Sequence, residues 1–143
     1  MPGGSDDRAV LVDKSALEQR RHSADARVTL ESLSREHAFA TCEVIALEVL
    51  YSARNALDYE ELRVQLASQR WLAVDAAATS RALEVQALLV ERGQHRLLIA
   101  DLLIAATAEV NGAEVLHYDR DFDRIAAVTG QRVRWIVPAG TAG

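Results

Sequence analysis

The chain has a single cysteine, Cys42, and a single lysine, Lys14. One cysteine excludes an internal disulfide. With no CxxC or HxxxH pair in the chain, no zinc site built on it is expected, and Cys42 is expected to pack as a small hydrophobe in a reducing compartment. All the remaining basic side chains are arginines, which suit phosphate and carboxylate contacts. No apolar run approaches ~20 residues, so no membrane span is expected. The opening segment, residues 1–8, is acidic and has no apolar stretch, so no secretory signal is expected either, and the cytoplasm is the expected location. Glycine never forms a phosphate-cradling loop, since Gly3-Gly4 has no strand before it. No Ser-His-Asp or Cys-His arrangement can be read. A net charge of -5 argues against a permanently basic nucleic-acid binder, but not against a nuclease whose metals and local arginines meet the phosphates.

What the chain does have is carboxylates in apolar company. Asp13 closes the run Ala9-Val10-Leu11-Val12, and Glu48 interrupts Val44 to Tyr51. Asp101 interrupts Leu97 to Ala106, and Asp119 follows Val115-Leu116-His117-Tyr118. An ionised carboxylate in such a setting costs several kcal/mol, roughly, unless something compensates it. Cations beside them are few: Lys14 follows Asp13 and Arg120 follows Asp119. A divalent ion is the compensation that fits, because oxygen-rich clusters suit Mg²⁺ or Mn²⁺.

With 143 residues, half of them hydrophobic, the chain is expected to form one domain over 1–143 with its core at about 8–137. The apolar runs at 8–13, 37–41, 71–74, 114–117 and 132–137 predict strands. Helices are predicted at 14–36, 43–54, 59–69, 78–92, 101–111 and 122–128. In the first helix Leu17, Ala24, Val28 and Leu33 carry the apolar face; in the fourth, Leu83, Val85, Leu88, Leu89 and Val90 do. Trp71 and Trp135 are assigned to the core, and His22 and His37 to exposed or loop positions. Strand and helix alternate, which predicts a three-layer α/β/α sandwich with a mainly parallel sheet.

In such a sheet ligands collect at the carboxyl ends of strands, where Asp13 and Asp119 fall. Asp101 falls near a helix start, where the dipole favours a negative charge. Brought together, the four acids make a pocket suited to one or two divalent ions and to phosphodiester hydrolysis. Each acid also has an ordinary reading. Asp13 suits an N-cap, Asp101 a helix start, and Glu48 a buried partner for an arginine; Asp119 has rivals in Asp121 and Asp123. Arg92, His95, Arg96, Arg120 and Arg124 suit either a basic rim for RNA or solvated surface positions.

The order of these motifs resembles the PIN domain family, in particular the VapC-type toxins of toxin–antitoxin pairs. The matching pieces are Val10-Leu-Val-Asp13-Lys-Ser15, Leu47-Glu48-Val-Leu-Tyr51, Ile99-Ala-Asp101-Leu-Leu-Ile-Ala-Ala106 and Val115-Leu-His-Tyr-Asp119-Arg-Asp121-Phe122. The resemblance implies a Mg²⁺-dependent (or Mn²⁺-dependent) endoribonuclease with Asp13, Glu48, Asp101 and Asp119 as catalytic and metal-binding acids. Ser15 and Asp121 take secondary positions, and Arg92, Arg96 and Arg120 are candidates for contact with RNA or antitoxin. The implied partners are an RNA substrate, a small VapB-type antitoxin and a second copy of the chain. Two departures stand out. Where a Thr or Ser often sits two residues before the fourth acid, this chain has His117; and Glu43 is a possible rival to Glu48, although it sits at a helix start. The competing functional classes are a PIN-like scaffold that does not cut and another α/β binding module such as a phosphoreceiver. The latter needs a lysine late in the fold, which this chain lacks.

Overall fold

The computed structural model describes residues 8–140. Five parallel strands, β1 (Val10–Val12), β2 (Phe39–Thr41), β3 (Arg70–Trp71), β4 (Glu114–His117) and β5 (Val133–Trp135), form one sheet in the order β3-β2-β1-β4-β5. Helices α1 (Lys14–Glu18) and α2 (Ala24–Arg35) follow β1, with a 3₁₀ turn at Gln19–Arg21 between them. α3 (Glu43–Tyr51) and α4 (Ala56–Ala67) follow β2, α5 (Ala76–Val90) and α6 (Ile99–Val110) follow β3, and α7 (Arg120–Thr129) follows β4. Among the described residues no helix is long and apolar enough to cross a membrane.

The sheet is covered on both faces, as the unbroken apolar run of β1 requires. Successive side chains alternate between the two layers. Ala9 and Leu11 join Ala40 and Val115 in a core with α3, α5, α6 and α7. Val10 and Val12 join Leu116 in a second core with α1 and α2. Leu11 pairs with Ala40 on one side and Val115 on the other. β1 is therefore the central strand. The chain runs outward from it through β2 and β3, then returns to its other flank as β4. That reversal opens a crevice at the carboxyl ends of β1 and β4, the usual place for a ligand in such a sheet.

Several local expectations are corrected. The stretch 14–36 is not one helix: Ser23 takes extended backbone and its hydroxyl accepts the Ala26 N–H, so a new helix starts there. β3 ends at Trp71 rather than Val74, and Asp75 caps α5. Trp71 lies outside the core at 45% exposure, its indole N–H donating to the Leu66 carbonyl. In α5, Val85 and Leu89 are buried while Leu83 is 70% exposed and Leu88 and Val90 are also exposed. In α2, Leu33 is buried but Val28 is exposed. His22 and His37 are exposed, and Cys42 is a buried free thiol in the core.

Candidate metal centre

Asp13 follows the last residue of β1 and caps α1. Its Oδ2 accepts both the N–H and the hydroxyl of Ser15, at 3.0 and 2.6 Å. The same hydroxyl accepts the Tyr118 N–H at 2.9 Å, and the Asp13 N–H donates to the Leu116 carbonyl. The first and last acids are thereby stitched together through the ends of β1 and β4. Asp119 caps α7, its Oδ1 accepting the Asp121 N–H at 2.9 Å. Both acids thus fill the N-cap role as well as facing the crevice.

Asp101 differs. It sits in the first turn of α6, only 5% exposed, and its Oδ2 has no hydrogen-bond partner. Oxygens of Asp101, Asp119 and Asp121 lie within 4.8 Å of one another. Burial first, then the charges of Asp13, Asp119, Asp121 and Glu48, push its pKa up to about 7. Burial also raises Asp13, with Asp119 adding to it, and raises Glu48, with Asp13 adding to it. The five acids therefore act on one another as one electrostatic cluster. Asp121 belongs to the tight group with Asp101 and Asp119, while Asp13 and Glu48 stand outside it. Asp121 also pairs with Arg124, and Lys14 turns to Glu18 at 3.9 Å. No arginine pairs with Glu48 among the described residues, so its ordinary structural role is not filled.

His117, at the hydroxyl position noted above, is fully buried, and its Nδ1 accepts the Asp119 N–H at 3.1 Å. Its only advance signal was its place two residues before an acid at a strand end. Arg96, His95 and Arg124 line a shallow notch of about 510 Å³; Arg92 and Arg120 are exposed and make no ion pair among the described residues. An unpartnered buried carboxylate oxygen beside two others is a donor set for a hard divalent ion.

The PIN domain profile matches residues 9–128. The chain belongs to the PIN domain family. Over 92% of its length this PIN domain is 46% identical to ribonuclease VapC51 of Mycobacterium tuberculosis, covering 95% of that protein. Among solved structures it resembles the crystal structure of VapBC2 from Rickettsia felis bound to a DNA fragment from their promoter. The TM-score there is 0.73 at 18% identity, over 89% of this chain and 98% of that one. It also resembles VapBC-5 of Mycobacterium tuberculosis, a member of the VapBC family of toxin-antitoxin systems. In that case the TM-score is 0.64 at 22% identity, over 89% of this chain and 98% of that one. These likenesses match the five-stranded parallel sheet; Asp13 and Asp119 of the PIN domain follow β1 and β4, where its strand order reverses.

Proposed function

We infer that this PIN domain is a divalent-metal-dependent endoribonuclease, the toxin of a VapBC-type pair. The observation that carries the reading is Asp101, a buried carboxyl with an unpartnered oxygen, surrounded by four other acids. Left alone, this arrangement is costly; a divalent ion offsets the cost. Asp101, Asp119 and Asp121 are the residues that would hold Mg²⁺ or Mn²⁺, with Asp13 and Glu48 completing the negative field. When bound, the ion supplies Lewis-acid polarisation of a phosphoryl oxygen. Ser15 holds Asp13 in place through its N–H and hydroxyl, and the Asp101 carboxylate, once its proton has left, would offer its unpartnered oxygen to the ion. Arg92, Arg96 and Arg120 supply positive charge at the rim, where an RNA backbone can be held against a chain of net negative charge. The naming of the 46% identical relative as a ribonuclease supports the choice of RNA.

A VapB-type antitoxin and a second copy of the chain are the partners we assign. Large apolar side chains are exposed on α3 (Leu47, Tyr51), α5 (Leu83, Val90) and the start of α6 (Leu98, Ile99), which gives both associations a surface. Two tests follow. Purified protein is incubated with total RNA in Mg²⁺, in Mn²⁺ and in EDTA. Cleavage that EDTA abolishes and Asp101→Asn removes is expected; cleavage indifferent to both rejects the reading. Co-expression with the adjacent reading frame, then size exclusion, is expected to give one complex.

A further inference from the structure

Asp119 is held on its main-chain side as well as through its carboxylate. Its N–H donates to Nδ1 of His117 at 3.1 Å, a bond from a side chain to the backbone two residues on, of the kind Asn and Asp make in turns. A nitrogen that accepts an N–H carries no proton, so the neutral imidazole has its proton on Nε2. Among the described residues that nitrogen has no hydrogen-bond partner, and it lies 3.8 Å from Oδ1 of Asp123, the one carboxylate within ion-pair range of it there. The other Asp123 oxygen accepts the indole N–H of Trp135 at 3.0 Å, so the carboxylate is held in place beside the ring. The imidazole is fully buried, between Phe122 (ring centres 5.2 Å apart) and Trp135 (5.0 Å). Strand β5 and helix α7 thus clamp the ring from two sides, and the ring in turn fixes the backbone of the fourth acid.

We propose that His117 is a positioning residue for Asp119: as the Nε2–H tautomer, backed by Asp123 and Trp135, it fixes the main chain from which Asp119 reaches a divalent ion. The proposal rests on the reading of Asp119 as a metal ligand. His117 touches neither ion nor substrate and acts only through that N–H. Partners behind a metal ligand orient it, and their loss typically costs roughly 10–100-fold in metal affinity or activity.

The test uses the full chain and MnCl₂ as the probe, with affinity read by calorimetry. His117→Phe keeps an aromatic ring between Phe122 and Trp135 but removes the acceptor, so Mn²⁺ affinity is expected to fall about 10–100-fold. His117→Asn returns an acceptor, its Oδ1, at the place of Nδ1, and is expected to recover most of that loss. A side-chain ¹⁵N spectrum of histidine-labelled wild type is expected to show the proton of His117 on Nε2. Should His117→Phe fail to fold, the Asn variant and the tautomer still decide. Wild-type affinity in His117→Phe, an equal loss in His117→Asn, or a proton on Nδ1 overturns the positioning role. Asp119→Asn separates the two levels. If it binds Mn²⁺ as wild type does, the ligand reading fails and this proposal with it; if it loses Mn²⁺ while His117→Phe does not, only the positioning role fails.

Discussion

Asp101 and Asp13 are both 5% exposed, yet their oxygens are treated differently. Asp13 accepts two hydrogen bonds from Ser15; Oδ2 of Asp101 accepts none. Asp101→Asn is therefore a cleaner probe of charge than Asp13→Asn, because no cap is disturbed. In the metal-free protein the Asp101 pKa is raised from 3.8 to about 7. Between those values the folded state keeps a proton that the unfolded chain has released. The stabilising contribution is full below the unfolded value and is lost as pH rises through the folded one. At about 1.4 kcal/mol per pKa unit, the loss is a few kcal/mol. In EDTA at pH 8, Asp101→Asn is expected to melt several degrees above wild type, and at pH 4 to melt with it. RNA cleavage is expected to fall by two orders of magnitude or more. A mutant that melts below wild type at pH 8 contradicts the buried, crowded charge. That four acids stand in apolar company was legible in the sequence, because Glu48 and Asp101 interrupt apolar runs and Asp13 and Asp119 follow them. That Asp121 joins Asp101 and Asp119 in the tight group, with Asp13 and Glu48 outside it, was not legible, since such distances depend on how α6 and α7 dock. The role of His117 was hidden for a related reason: a side chain bonded to backbone leaves no mark on periodicity.

At the scale of elements, Ser15 joins two crossovers. Its hydroxyl donates to Asp13 at the start of α1 and accepts the Tyr118 N–H between β4 and α7. Ser15→Ala leaves that N–H without its partner, a cost of about 1–3 kcal/mol. A urea titration is expected to show a lower midpoint with unchanged slope, and Ser15→Thr to keep the wild-type value. At the far end of α7, Gly130 adopts φ 74° with open space around a prospective Cβ. Gly130→Ala is expected to cost about 1–2 kcal/mol of backbone strain alone, with cleavage per folded molecule unchanged. The elements most legible in the sequence were those with sharp punctuation. β4 falls on Glu114–His117 as read, between Gly112 and the Asp119 cap. The predicted helix over 14–36 hid a break: the polar stretch 18–23 carries no glycine or proline to mark it, yet there the chain leaves α1 through a 3₁₀ turn and restarts at the Ser23 cap. α5 is apolar on several faces, so its sequence does not say which leucines are buried, and Leu83 faces out while Leu89 faces in.

Over the whole molecule, the proposed activity asks an acidic chain to hold an RNA strand beside its cluster of acids. Arg96→Ala is expected to raise KM severalfold with little change in kcat and to flatten the salt dependence of binding, since a phosphate contact adds affinity and salt sensitivity together. An unchanged KM and salt slope removes Arg96 from the rim. The same charges govern how metal stabilises the fold. An ion that binds only the folded site adds about 2.7 kcal/mol at a hundredfold excess over Kd, which is several degrees of melting temperature in a domain of this size. The site must first lose its protons, and the one on Asp101 leaves near pH 7. Below that pH, Mg²⁺ competes with the proton and its apparent affinity falls. Above it, the metal-free protein is at its least stable and the site at its most receptive. Melting curves in EDTA and in Mg²⁺ should therefore lie close together at pH 5.5 and diverge as pH rises through 7, with EDTA samples falling and Mg²⁺ samples holding. In Asp101→Asn the separation should be small at every pH. A Mg²⁺ shift of constant size from pH 5.5 to 8.5, or one undiminished in Asp101→Asn, would mean that Asp101 is neither the titrating group nor a ligand, and that the ion, if it binds, sits elsewhere.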